Sequence, residues 1–395
     1  MTDSGSDTTV SRRTALKLFG GAGTAGMVGL AGCTGGGDGG SGDGTATSGD
    51  GTATSGEGTA TSGDGTATSG DSMETVKAAW LYISEPGDLG WSWAHDQGRQ
   101  AVDEKFDWLE TDASSDVAPA DGERAIKEYT QNGYDIVFGT TFEYMDPMFN
   151  VAEGNPDTLY EHCSGYRTRE NMGRYFGRMY QARYLAGVAA GMATDADSLG
   201  YVAAFPIPEV VRGINAFTQG ARAVNEDATT KVRWTNSWYD PQTEQEAAQA
   251  LIDEGVDVMA QHQDSPSAVR TASEADIWAT GYDAPMGEFA GENYLTSPVW
   301  DWQVFYEPTV TAVRDGTWTS DFYFEGLSSG IVDIDDWGPA VPEDIKSEVG
   351  SRRADIESGD LDVWADSKFA DESQQFRFEE MGSYVEGVEG SVPDS

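Results

Sequence analysis

The sequence predicts an α/β protein of two Rossmann-like lobes, and three observations carry that prediction. From Val76 onward, short apolar runs alternate with amphipathic stretches, the pattern of βαβ units feeding a parallel sheet. The 395 residues exceed one ordinary domain and include 12 Trp, 16 Tyr and 15 Phe, enough aromatic bulk for a sizeable core. One junction also occurs twice, at 128–139 and at 250–261. Each copy reads helix end, glycine (Gly133, Gly255), aspartate, then apolar strand. Glycine commonly terminates helices, so one such junction in each half points to two lobes of similar build.

In chain order, the run V-K-A-A-W-L-Y-I gives a first strand at 76–83, followed by an amphipathic helix at 93–105. A helix at 122–131 leads through Gly133 into a strand at 134–139, a helix at 147–153 and a strand at 159–162. The second half repeats the alternation. Helix 178–192 precedes strand 199–204, helix 208–224 opens on Pro208, and strand 232–238 leads to helix 243–253. Strand 256–262, helix 266–273, and strands 277–282 and 294–299 follow, then helices at 302–315 and 343–358.

The folded part is preceded by a different kind of sequence. Residues 11–17 read S-R-R-T-A-L-K, and a Gly-rich apolar run from Leu18 to Leu30 ends in L-A-G-C at 30–33. A membrane-spanning helix needs about 18 apolar residues or more; this run is shorter and carries five glycines. It therefore reads as a targeting segment over 1–33. Arg12-Arg13 resembles a twin-arginine export signal, and L-A-G-C resembles a lipobox with Cys33 as the lipidated residue. From Asp43 the unit D-G-T-A-T-S-G repeats four times, with Glu57 once in place of Asp. The seven-residue period lacks the apolar a and d positions of a coiled coil. Its Gly/Ser/Thr composition cannot bury enough surface to order itself, so 34–73 reads as a flexible stalk spacing a domain from a membrane.

The formal charge is −44, from 68 acidic and 24 basic residues spread along the chain. Such a field repels phosphate backbones and excludes nucleic acid as a partner. Its Asp-rich balance matches adaptation to molar salt, where a Debye length of about 3 Å screens the self-repulsion; partial unfolding at low salt is the expectation. Cys33 and Cys163 are the only cysteines, too few for a disulfide framework. Cys163 sits in an apolar stretch and reads as a small buried hydrophobe.

In open α/β sheets, ligands lie beyond the carboxyl ends of the strands. In the first half those ends supply Trp91, Ser92, Trp93, Phe142 and Asp146; in the second they supply Trp238, Asp240, His262, Asp264, Asp283 and Trp300. Aromatics offer flat apolar faces and carboxylates accept hydrogen bonds, so these positions read as candidates to line a cleft. Arg99 and Arg212 lie in helices and read as partners of carboxylates. The three histidines show no metal spacing. Neither a phosphate-cradling glycine motif nor a nucleophile elbow is present.

The stretches G-D-L-G-W-S-W-A-H-D-Q-G-R (87–99), Y-D-I-V-F-G-T-T-F-E-Y-M-D-P (134–147), Y-L-A-G-V-A-A-G (184–191), G-Y-V-A-A-F-P-I-P-E (200–209), G-V-D-V-M-A-Q-H-Q-D-S-P (255–266) and L-T-S-P-V-W-D-W (295–302) come in a telling order. Together they resemble the basic membrane protein family of ABC-importer binding lipoproteins, also described as purine-nucleoside-receptor-like, in a haloarchaeal member. The resemblance covers nearly all of 76–358. It implies a type I periplasmic-binding fold whose two lobes are joined by three crossings, placed near Tyr175, Ser297 and Phe324. One lobe is then 74–175 plus 298–324, the other 176–297 plus 325–360, with an acidic tail at 361–395.

The same resemblance implies a monomeric, non-enzymatic receptor without cofactor or metal. It would be lipid-anchored on the extracellular face, delivering a purine base or nucleoside to permease and ATPase subunits. Trp91 and Trp238 occupy the positions of stacking aromatics, Asp146 that of a carboxylate reading the base edge, and Asp283 that of one accepting from ribose hydroxyls. Trp300 stands where many nucleoside-binding relatives carry Lys. A Trp filling the ribose space would favour a base over a nucleoside. Two other readings remain: a sugar-binding importer component, since one fold serves many ligands, and a calcium-dependent nucleoside hydrolase. The hydrolase would want adjacent aspartates near the first strand, where Asp88 stands alone.

Overall fold

The computed structural model describes residues 74–87 and 89–393. The leader with Cys33, the repeat stalk and Asp88 lie outside the described residues. The first lobe runs β1 (Val76–Leu81), α1 (Trp91–Lys105), β2 (Leu109–Ser114), α2 (Gly122–Gln131), β3 (Ile136–Gly139), α3 (Met145–Gly154), β4 (Leu159–Cys163) and β5 (Met172–Gly177). The chain then builds a second sheet through α4 (Met179–Ala193), β6 (Ser198–Ala203), α5 (Pro208–Arg222), β7 (Thr229–Trp234), α6 (Pro241–Asp253), β8 (Val258–His262), α7 (Ser267–Glu274) and β9 (Trp278–Ala279). After α8 (Gly287–Ala290), β10 (Pro298–Trp300) and α9 (Gln303–Arg314), it returns to the first sheet as β11 (Phe322–Glu325). It leaves again through β12 (Val332–Ile334), α10 (Glu343–Ser358) and α11 (Gln374–Glu379).

Both main sheets are parallel. The first has the order β11-β5-β4-β3-β1-β2 and the second β7-β6-β8-β9, while β10 and β12 form a short antiparallel ribbon. In each lobe the second strand flanks the first and the third lies on its other side. That order creates a crevice beyond the first and third strands, β1/β3 in one lobe and β6/β8 in the other. The repeated glycine junction behaves as its sequence implies. Gly133 and Gly255 adopt φ of +74° and +85°, and the next residues' N–H groups, Tyr134 to Tyr129 O and Val256 to Leu251 O, close the last turns of α2 and α6.

Buried faces follow the strand pattern. In β1 every residue except Lys77 is buried, and Trp80 stacks on Phe138 of β3 at 4.5 Å. Helix α9 closes this sheet from one side, with Phe305 stacked on Tyr175 at 4.2 Å. In the second lobe α4 and α5 pack backbone against backbone: a Cβ on Gly187 would fall 1.9 Å from Phe217 O, and one on Gly220 would fall 2.0 Å from Tyr184 O. Only glycine permits that approach.

Four strands were not expected from the sequence. β2 (L-E-T-D-A-S) is a polar edge strand, β5 carries two glycines, and β11 and β12 have only four and three residues. Strand 232–238 was expected to run on to Trp238 but ends at Trp234, because Asn236 turns the chain with φ +54°. The segment from 361 onward, set apart in sequence by its acidity, packs on the second lobe. Trp364, Phe378 and Met381 are fully buried. Asn215 of α5 holds the segment by donating to Ser383 O and accepting from Val385 N–H.

Candidate functional site

A pocket of about 450 Å³, its mouth included, lies between the strand ends of the two sheets. The first lobe contributes Ile83 after β1, Trp91, Thr141 and Phe142 after β3, and Ser164 after β4. From the second come Ile207 and Glu209 at the start of α5, Trp238 after β7, His262 and Asp264 at the end of β8, and Tyr282 and Asp283 after β9. The pocket thus sits at the reversal of strand order in both lobes at once.

Trp91 is the first residue of α1, and its indole is held on several sides. Nε1 donates to Thr140 O at 2.8 Å, while the ring meets Trp300 and Trp302 edge-on, each at 5.6 Å. Trp300 and Trp302 themselves stack at 4.5 Å. Across the pocket, Trp238 rests against Phe205 at 5.0 Å, and its carbonyl accepts from Asp264 N–H. The lobes touch beside these rings. Gly90 has φ +91°, and a Cβ there would lie 2.7 Å from Asp264 O. The Trp91 N–H hydrogen-bonds the Asp264 carboxylate, and Ser164 Oγ donates to Glu209 Oε2 at 2.7 Å, so both contacts bridge the lobes.

The polar floor is a carboxyl pair. Asp283, in the left-handed region at φ +63°, is 1% exposed; its Oδ1 accepts from Trp300 Nε1 at 2.8 Å and its Oδ2 has no hydrogen-bond partner. Burial, and then the charge of Asp264, pushes its carboxyl well above the usual carboxylate range. Asp264 is raised by burial and by the nearby Glu244, and the two carboxyls stand close enough to repel each other's charge. Two buried carboxyls so placed do not both ionise, so one of the pair keeps its proton at neutral pH. His262 is held neutral by burial, with Arg183 and Arg212 adding to the effect, and its Nε2 lies 3.9 Å from Glu209 Oε1.

Of the eleven side chains expected at the site, six line this pocket: Trp91, Phe142, Trp238, His262, Asp264 and Asp283. The other five lie elsewhere. Ser92 is buried behind Trp91, its Oγ sharing a 2.7 Å hydrogen bond with Ser84 Oγ, and Trp93 packs half-buried on the aromatic core. Asp146 is exposed and paired with Arg167. Asp240 caps α6, its Oδ1 accepting from Thr243 N–H at 3.1 Å. Trp300, expected to fill a ribose space, stands behind Asp283, bonded to it and stacked on Trp302, and does not line the pocket. Arg99 pairs with Asp96 at 2.7 Å as expected, whereas Arg212 donates to the carbonyls of Arg377 and Phe378 in place of a carboxylate. Glu209, Ser164 and Tyr282 were not singled out by sequence, although Glu209 closes the stretch 205–209 beyond the expected strand 199–204 and Tyr282 ends the expected strand 277–282, so both were open to the same strand-end rule. Among the described residues, no group of three or more His, Cys, Asp or Glu is arranged to hold a metal.

The profile of the family described as ABC transporter substrate-binding protein, PnrA-like, matches residues 75–360. The chain belongs to this family. Its members are substrate-binding components of importers that work with permease and ATPase subunits. A putative ABC transporter glucose-binding protein of Haloferax volcanii is 60% identical over 320 residues, covering 81% of this chain and 82% of that protein. A purine-binding protein of Brucella abortus is 40% identical over 332 residues, covering 81% and 95%. An ABC solute-binding protein structure from Aeropyrum pernix superposes with a TM-score of 0.65 at 18% identity, covering 76% of this chain and 95% of that one. One from Conexibacter woesei gives 0.63 at 22% identity, covering 73% and 98%. These two establish the shared fold of ABC solute-binding proteins, an α/β architecture of the type I periplasmic-binding class. Among the described residues, no helix is long and apolar enough to cross a membrane.

Proposed function

We propose that this substrate-binding protein captures a purine base or nucleoside between Trp91 and Trp238 and presents it to its permease. The observation that carries the reading is that two indoles from opposite lobes line one pocket, above a carboxyl pair with an unmatched oxygen. A flat heterocycle gains dispersion on both faces from such a clamp, and its polar edge supplies the partner that Asp283 Oδ2 lacks. The purine-binding relative supports this assignment. Glucose is the second reading, favoured by the name of the 60% identical relative. Titration of tryptophan fluorescence with adenine, adenosine and glucose separates the two: tight quenching by a purine with glucose silent sustains the proposal, and the reverse order refutes it.

Capture proceeds by closure of two lobes, 74–175 plus 298–324 and 176–297 plus 325–360, about crossings near Tyr175, Ser297 and Phe324. In this reading the chain leaves the cell by the twin-arginine route and is held at the outer face of the membrane by a lipid on Cys33, with the repeats as spacer. Cys33→Ser then releases the protein into the medium; retention in the membrane fraction contradicts the anchor.

A further inference from the structure

Behind His262 lies a second, smaller cavity of about 220 Å³, its mouth included, that shares Glu209, His262 and Tyr282 with the ligand pocket. Two arginines line it. Arg183 of α4 and Arg212 of α5 are 1% and 3% exposed, and among the described residues neither has a carboxylate within 4.0 Å. Arg183 places Nη1 on Gln261 O at 2.6 Å and lays its guanidinium 3.5 Å over the Tyr282 ring. Its Nε and Nη2 donate to nothing. Arg212 spends Nη1 on the two backbone carbonyls of the C-terminal segment. Glu209, the carboxylate lining the cavity, accepts from Ser164 Oγ and lies 3.9 Å from the neutral His262; its charge reaches Arg212, and that of Asp283 reaches Arg183, without an ion-pair contact.

Further unmatched groups converge at the same point. The Cβ that Gly213 lacks would project to 3.4 Å from Tyr201 Oη, 3.6 Å from Arg183 Nε and 3.7 Å from His262 Nδ1. All three atoms are buried without a hydrogen-bond partner. Tyr201 keeps its proton, since burial raises it to about 12. Two buried cations and one carboxylate thus line the cavity, and the Tyr201 hydroxyl stands beside it at Gly213. Buried charges are paired in folded proteins because an unpaired one costs several kcal/mol. From this geometry we infer that the cavity is a built site for a small monatomic anion, chloride, held by Arg183 Nε and Nη2 and Tyr201 Oη beside Arg212. A halide accepts from many donors and donates to none, which suits this wall better than water, with its two hydrogens to place. The site is independent of the identity of the ligand in the main pocket. It makes chloride a structural component of the wall behind His262.

The test uses the folded chain without purine. Crystals equilibrated in sodium bromide should show an anomalous peak in contact with Arg183 Nε and Tyr201 Oη, and Gly213→Ala should abolish it. That variant is sterically mild, because its methyl meets nothing closer than 3.4 Å, and alanine suits a helix interior. In solution, with sodium fixed and chloride exchanged for isethionate, each tenfold rise in chloride above half-saturation should multiply the folding equilibrium constant of the wild type about tenfold. Gly213→Ala should be indifferent to the exchange, and Tyr201→Phe should shift half-saturation upward several-fold. Density refining as water with no bromide signal overturns the inference. So does a chloride effect that survives unchanged in Gly213→Ala, since that would be a general salt effect at the surface.

Discussion

Replacing Gly90 by alanine tests whether the lobe contact governs capture. A Cβ there would lie 2.7 Å from Asp264 O and 2.9 Å from Asp264 Cβ, about 0.7 Å short of the 3.4 Å at which ordinary contact begins. The lobes must part by about that much at the point where Trp91 enters the pocket. A radial gap of roughly 0.5–1 Å forfeits a quarter to a half of a dispersion contact, and stacking of a base on an aromatic ring contributes about 1–3 kcal/mol. For a clamp of two indoles the loss is about 1–2 kcal/mol, or roughly five- to thirtyfold in Kd. Alanine also strains the backbone, because φ 91° with ψ −169° is a region almost reserved for glycine, at about 1–3 kcal/mol. That strain acts in open and closed states alike, so it lowers the melting temperature without entering the affinity. Calorimetric titration with the tightest-binding purine, beside a melting curve, separates the two effects. A variant that melts lower yet binds within twofold of wild type refutes the claim that the lobes meet at this point in the bound state.

Further tests probe individual side chains. Trp91→Ala and Trp238→Ala should each weaken purine binding by about one to two orders of magnitude, from the loss of one stacked face, while Trp93→Ala leaves affinity within twofold by the same titration. Glu161 is buried, accepts from Trp318 Nε1 at 2.9 Å, and is pushed up by burial to about 8. The folded state therefore binds its proton more tightly than the unfolded state, and stability from this group is lost as pH rises from about 4.5 to 8. Glu161→Gln should melt close to wild type at pH 4 and gain on it steadily up to pH 8, by a few kcal/mol in order of magnitude. Trp300→Phe keeps the ring stack but removes the donor to Asp283, at about 1–3 kcal/mol. The loss should appear as a lower urea midpoint, and an unchanged midpoint would remove the structural role given to that hydrogen bond. Finally, with a charge of −44, the melting temperature should climb as NaCl is raised from low to molar concentration, and a flat profile removes the halophilic reading.

Much of the architecture was visible as continuous apolar runs. β1, β3, β6 and β8 are buried on both faces, and such strands announce themselves without alternation. Of the strands that escaped notice, β2 and β11 sit at sheet edges and β12 in the ribbon, while β5 lies inside its sheet but carries two glycines that dilute its signal. At the site, position beyond a strand end located the right loops but not the right side chains. Trp91, Ser92 and Trp93 are successive residues of one helix, turned about 100° apart, so only one of them faces the crevice. Asp240 stands directly before Pro241 and was legible as a helix cap. The bond between Trp300 and Asp283 has no local trace, because it depends on β10 passing beside the loop after β9. Neither does the arginine cavity, whose walls come from β5, α4, α5, β8 and the loop after β9.

The family profile ends at residue 360, but the folded body does not. Arg212 and Asn215 find their hydrogen-bond partners at Arg377, Phe378, Ser383 and Val385, and Thr230 at the edge of the second sheet pairs with Gly387 and Glu389. An expression product trimmed to the span matched by the family would leave one guanidinium and one carboxamide without acceptors and bare the apolar side of α5. Domain boundaries drawn from kinship alone would in this case cut through a working part of the receptor.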